Sequence, residues 1–82
     1  MNAEEMFKNK GFRKLKCYKE KHLIHYKKII YDDGFKWTIE VYFIEGKKVS
    51  ICDDRGLFGA VIDIELLKAI NQQCRELKWL DE

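Results

Sequence analysis

The stretch FKWTIEVYFI, residues 35–44, alternates without a break. Phe35, Trp37, Ile39, Val41 and Phe43 share one parity; Lys36, Thr38 and Glu40 share the other. Successive side chains of a strand point to opposite faces, so this reads as a half-buried β-strand with the first set turned to a core. Its flanks say what it pairs with. DDG at 32–34 is a turn signal in which Gly34 can take positive φ, and EGK at 45–47 is another. The segments beyond these turns, HLIHYKKIIY at 22–31 and KKVSIC at 47–52, then become its antiparallel neighbours, with Val49 and Ile51 inward.

The second of these strands is less decided. Leu23, His25, Ile29 and Tyr31 lie on one parity and Ile24, Tyr26 and Ile30 on the other, so both faces are partly apolar and the inward one stays open. A bulge near Lys27–Lys28 would also exchange them. Upstream, FRKLKCYK at 12–19 puts Leu15 and Cys17 on one face, with Lys14, Lys16 and Tyr18 on the other. KEK at 19–21 is the turn that joins it to the second strand. Four strands joined by short turns make an antiparallel meander.

Helical signals bracket the meander. Asn2 three residues before Glu5 has the spacing of a capping box, Ala3, Met6 and Phe7 form an apolar stripe, and Gly11 is suited to the left-handed residue that ends a helix. At the other end Asp63 caps a helix beginning at Ile64, and Leu66, Leu67, Ile70, Cys74 and Leu77 follow the spacing of one buried face. Glu65, Lys68, Gln72, Arg75 and Glu76 take the opposite side. LFGAVI at 57–62 reads either as a fifth short strand or as an apolar loop across the core. The expected fold is therefore α+β: one domain over 1–82, with an N-terminal helix, a four-stranded antiparallel meander and a C-terminal helix, both helices on one sheet face.

Size and composition narrow the function. An 82-residue chain buries only about 60–65% of the surface its unfolded form exposes, which leaves little room for an internal substrate cavity. No apolar run approaches the roughly 20 residues that span a bilayer, and MNAEEMFKNK does not read as a secretory signal. Three widely spaced cysteines, Cys17, Cys52 and Cys74, do not make a disulfide framework, so a reducing cytoplasm is expected. The net charge of +2 hides an asymmetry: residues 8–28 hold nine Lys or Arg against the single acid Glu20, while residues 29–82 carry a net of −4.

The two ends carry a resemblance. NAEEMFKNKGF and IELLKAINQQCRELKWLDE resemble a family of small proteins encoded in phages and prophages of Gram-positive bacteria. Its members begin with a short A-E-E-M-F helix ending in glycine and an aromatic, and close with a helix patterned E-L-x-A-I-N-x-Q-x-x-E-L-G-W-L. The resemblance covers about thirty residues, implies the helix, meander, helix order, and brings no catalytic residues. One departure stands out. Lys78 occupies the place of the family's glycine before the tryptophan, so either a left-handed lysine ends the helix at a cost of about 1 kcal/mol or the helix runs on through Trp79 and the indole is not docked.

Several constellations carry possible chemistry. His22 and His25 form H-x-x-H, but strand residues three apart face opposite sides, so a metal site would need a distortion and an outside ligand such as Cys17. A Cys17–His25 nucleophilic pair has no evident orienting carboxylate. Asp32–Asp33 and Asp53–Asp54 are explained by turns. No phosphate-cradling glycine loop, catalytic-serine motif or zinc-ligand pattern occurs, so neither enzyme activity nor a metal or other cofactor is expected.

Two binding readings remain. Lys8, Lys10, Arg13, Lys14, Lys16, Lys27 and Lys28, interleaved with Tyr18 and Tyr26, could grip phosphates while rings stack on bases; the plain alternative is a solvated face whose lysines block strand aggregation. Trp37, Tyr42, Ile44, Phe58 and Trp79 are more apolar bulk than so small a core needs, which fits a protein partner or a homodimer. The expected function is a non-catalytic, phage-like accessory role through binding a protein, itself included, with nucleic-acid binding by residues 8–28 as the alternative.

Overall fold

The computed structural model describes residues 1–55 and 60–80. Helix α1 spans Ala3–Asn9, strands β1, β2, β3 and β4 span Arg13–Leu15, His22–Asp32, Phe35–Ile44 and Lys48–Asp53, and helix α2 spans Ile64–Glu76. Among the described residues the strands form one antiparallel sheet in the order β1-β2-β3-β4, the expected meander. Of the ambiguous stretch 57–62, residues 57–59 lie outside the described residues, as does Phe58; residues 60–62 are not in a strand.

Both helices pack on one face of the sheet. Phe7 of α1 stacks on Tyr26 with ring centroids 3.8 Å apart, and Phe7, Tyr26, Ile39, Val41 and Phe43 share a core cluster with Leu66, Ala69, Ile70 and Cys74 of α2. The pairing Tyr26↔Val41 closes the open question about β2: Ile24, Tyr26 and Ile30 face the helices. The register runs regularly through Lys27–Lys28, and the irregularity lies between His22 and Ile24.

The helices run antiparallel, tied at both ends. Glu76 Oε2 accepts the Ala3 backbone N–H at 2.7 Å, beside the Asn2 cap that accepts from Glu5 N–H at 2.8 Å. At the other end Lys10 pairs with Asp63, whose Oδ1 caps α2 by accepting from Leu66 N–H at 2.8 Å. Each anion thus meets a helix N-terminus, where unpaired N–H groups and the dipole favour it.

The two helices end in the same way. Gly11 (φ +89°) donates to the Lys8 carbonyl and Phe12 to the Phe7 carbonyl, and the Phe12 ring meets Phe7 edge-on. Lys78 donates to the Arg75 carbonyl and Trp79 to the Cys74 carbonyl. Both are Schellman closures with an apolar residue folded back. Of the two outcomes open at Lys78, the left-handed cap is the one that forms. Lys78 takes φ +64°, and the indole docks against Phe43 at 6.2 Å between ring centroids.

Three assignments change with the packing. Leu67 is 40% exposed, while Ala69 and Gln73 are buried in its stead, because the buried stripe of α2 passes along 66, 69, 70, 73 and 74. Phe35 shares a face with Val41 and Phe43 but lies beyond the reach of the helices and is exposed. In the first strand Lys14 pairs with Tyr26 and so lies on the helix side, while Leu15 pairs with His25 on the open face. Phe12 has already taken the core position there, which reverses the expected parity.

Candidate functional site

The nine basic and aromatic candidates for phosphate and base binding are dispersed. Lys8, Arg13 and Lys14 line a shallow hollow with Glu4, whose carboxylate is 3.7 Å from Lys14 Nζ. Lys10 and Lys28 line a second hollow, where Lys10 is paired with Asp63 and Lys28 reaches over the Phe12 ring. Lys16 and Tyr18 border a third, on the open sheet face. Lys27 pairs across the ladder with Glu40 on that same face. Tyr26 leaves the set altogether, being 1% exposed with its hydroxyl donating to Gln73 Oε1 at 2.6 Å. A ring held there cannot stack on a base. Burial, with Glu4 and Glu76 nearby, pushes its phenol well above the usual tyrosine range.

The open face gathers an arrangement that strand parity alone does not foresee. The irregularity after His22 restores its parity with His25, so the two histidines flank Tyr42 on one face, at 4.8 and 4.1 Å between ring centroids. His25 Nε2 lies 2.9 Å from Glu40 Oε1, and the Tyr42 hydroxyl donates to that same oxygen at 3.1 Å. Burial first, then the bond to Glu40, raises the Tyr42 phenol above its ordinary value. His25 thus does have an orienting carboxylate, and Cys17 lines the same hollow as both histidines. Yet among the described residues no hydrogen bond joins the Cys17 thiol to His25, and no three His, Cys, Asp or Glu side chains converge to hold a metal ion.

The protein-interaction candidates also divide. Trp79 is half-buried and completes the core, and Tyr42 is held by His25 and Glu40. Trp37 is half-buried at the margin of the core, its ring stacked 6.1 Å from exposed Phe35. Around it lies what the sequence reading missed. Strand β1 pairs with β2 only at residues 25–27, and β4 pairs with β3 only from Ile39 onward, so the β2–β3 hairpin continues past both neighbours as a two-stranded arm. Asp33 (φ +46°) and Gly34 (φ +79°) close it as a two-residue turn of the type favoured in hairpins. Its apolar side chains are open to solvent: Tyr31 is 75% exposed, Phe35 64% and Ile29 38%. The available signal was length, since residues 22–44 hold two strands longer than either flanking segment.

No helix of the described residues is long and apolar enough to cross a membrane. No protein-family model, curated protein or solved structure matches the chain.

Proposed function

We propose that this chain is a non-catalytic binding module, a small accessory protein of the phage type it resembles, that engages another protein through its β2–β3 arm. The observation that carries this reading is the arm's end, where Ile29, Tyr31 and Phe35 stand exposed beyond the covered part of the sheet. Aromatic side chains on a protruding, self-supporting element are the common anchors of protein interfaces, because they bury much area for little lost rotamer freedom. The hollow with Cys17 and His25 supports catalysis less well, for the thiol is not hydrogen-bonded to its base. The test is affinity capture with the parent chain and with a Tyr31→Ser/Phe35→Ser variant as baits. Both positions are solvent-exposed, so the variant should keep its fold. Capture of a protein that is lost with the variant is the expected result. Equal capture by both baits, or none by either, refutes the reading.

A second reading rests on Tyr18, which is 89% exposed with Lys16 Nζ 6.0 Å from its ring centroid and Lys19 on the same rim. A ring beside two cations is a minimal platform for a single-stranded nucleic acid. Anisotropy of labelled DNA and RNA over a salt series tests it. Binding with a steep negative salt slope, abolished by Lys16→Glu/Lys19→Glu, supports this reading, and absence of binding at low salt removes it.

A further inference from the structure

The arm's outer edge has a sequence that complements itself. KKIIYDD, residues 27–33, places two lysines at one end, two aspartates at the other and three apolar residues between, centred on Ile30. Laid antiparallel against a second copy about a two-fold axis at Ile30, Lys28 meets Asp32 and Ile29 meets Tyr31. Sliding the pairing by two residues sets Lys28 beside Ile30 and leaves both charged ends unmatched.

The edge is open where this pairing requires it. Among the described residues β1 covers β2 only as far as Lys27, so Lys28–Asp32 has no strand on that side. The hydrogen-bonding phase follows from the opposite edge. Thr38 turns its backbone away from β2, for its N–H donates to Asp54 Oδ1 at 2.6 Å and its carbonyl accepts from Asp54 N–H at 3.2 Å. Thr38 pairs with Ile29 across the ladder, so that pair is not hydrogen-bonded and Ile29 also points its N–H and C=O outward. By alternation Tyr31 does the same. Those two residues are the ones that the two-fold sets opposite each other, and they exchange four backbone hydrogen bonds. The Asp54 contacts meanwhile block the other edge of the arm at Thr38.

We propose that the partner of the arm is a second copy of this chain, joined by antiparallel pairing of Lys28–Asp32 with its symmetry mate. This inference rests on the reading of the arm as a protein-binding element and names its occupant. The pairing lays Tyr31 of each copy on Ile29 of the other, covering apolar surface that each copy alone exposes. The lysines that guard the edge against indiscriminate pairing become the feature that selects the register. Five residues make a short interface, so the dimer is concentration-dependent.

Light scattering across a wide concentration range tests the proposal on the parent chain, Lys28→Asp, Asp32→Lys and an equimolar mixture of the two variants. In either variant alone both charge contacts become like-charged, whereas in the mixed pair both are again Asp against Lys. The parent should approach twice the chain mass, each variant should dimerise about tenfold more weakly, and the mixture should recover. Ile30→Cys, with Cys17 and Cys52 replaced by serine, is the second measurement, one that needs no charge change. Directly opposed residues of a non-hydrogen-bonded pair lie about 4.5 Å apart at Cα, within disulfide reach, so mild oxidation should yield a covalent dimer. Ile29→Cys in the same background should not. A parent chain that stays monomeric throughout overturns the dimer while leaving arm-dependent capture of a different protein intact. A dimer indifferent to charge reversal, or cross-linked equally through residue 29, overturns this pairing.

Discussion

Replacing Tyr26 by phenylalanine isolates one buried hydrogen bond. The ring stays, and with it the near-parallel stack on Phe7 and the edge contact with Phe43. What goes is the hydroxyl that donates to Gln73 Oε1 at 2.6 Å, leaving the amide oxygen of the one buried polar side chain among the described residues without that donor. Stranding a buried acceptor costs about 1–3 kcal/mol, more than the net worth of an average bond. For a domain of this length each kcal/mol moves Tm by about 4–8 °C, so Tyr26→Phe should melt roughly 5–20 °C below the parent. Gln73→Leu removes the other partner, and the double variant replaces the pair by apolar groups. Guanidinium unfolding monitored by circular dichroism, with equal m-values as the check on two-state behaviour, gives the four free energies of the cycle. The double variant should lose less than the two singles added together. Strict additivity, or a Tyr26→Phe variant within about 0.5 kcal/mol of the parent, would refute the assignment of this bond as a stabilising core contact.

Ile70→Ala should destabilise by about 2–5 kcal/mol in the same denaturant assay, because Ile70 is buried in the cluster between α2 and the sheet. Lys78→Gly should raise stability by about 0.5–1 kcal/mol, the relief of a left-handed side-chain residue less the added freedom of glycine in the unfolded chain; Lys78→Ala, which keeps the Cβ, should not. Lys10 first, then the Leu66 N–H, holds the Asp63 carboxyl below the usual range, and Arg55 does so for Asp53. Folded-state values below the unfolded ones contribute stability that is present above about pH 4 and lost as pH falls through the folded values, so acid melts should decline there, and less steeply in Asp63→Asn.

Strand order, both helix starts and the interior of β3 were legible because each rests on a local rule. Asn2 and Asp63 cap as their spacing predicts, and Ile39, Val41 and Phe43 are buried as alternation predicts. The misreadings share a different cause, since each depended on what lay across from the residue. Leu15 has the right parity for a core only if the first strand carries the core residue of its edge, and Phe12, folded back by the Gly11 closure, supplies it first. His22 and His25 face opposite sides only in an unbroken strand, and a single irregularity near Leu23 makes them neighbours of Tyr42. Lys78 stayed open between a left-handed cap and a continued helix, because the cost of the cap is local while its compensation is tertiary. About 1 kcal/mol of backbone strain is offset when it docks a tryptophan on the core.

The exposed arm follows from a mismatch of lengths rather than from an error of patterning. Helix α2 has 13 residues and β3 has 10. At about 1.5 Å per helical residue and 3.3 Å per strand residue, the helix reaches about 20 Å against about 33 Å for the strand, even when laid along it. Helix α1, of 7 residues, is shorter still. Strict alternation in FKWTIEVYFI therefore marks one face correctly while the cover ends before its N-terminal part, which leaves Phe35 exposed and Trp37 at the margin. The same alternation that builds the core at Val41 and Phe43 thus prepares, four to eight residues earlier, an apolar surface that neither helix covers. Beside it, charge limits what can pair along the open edge of β2, where Ile29 and Tyr31 point to the other face. With Lys28 at one end and Asp32 at the other, the open edge repels a misaligned strand and accepts one that presents the same order in reverse. A second copy of this chain meets that requirement by symmetry.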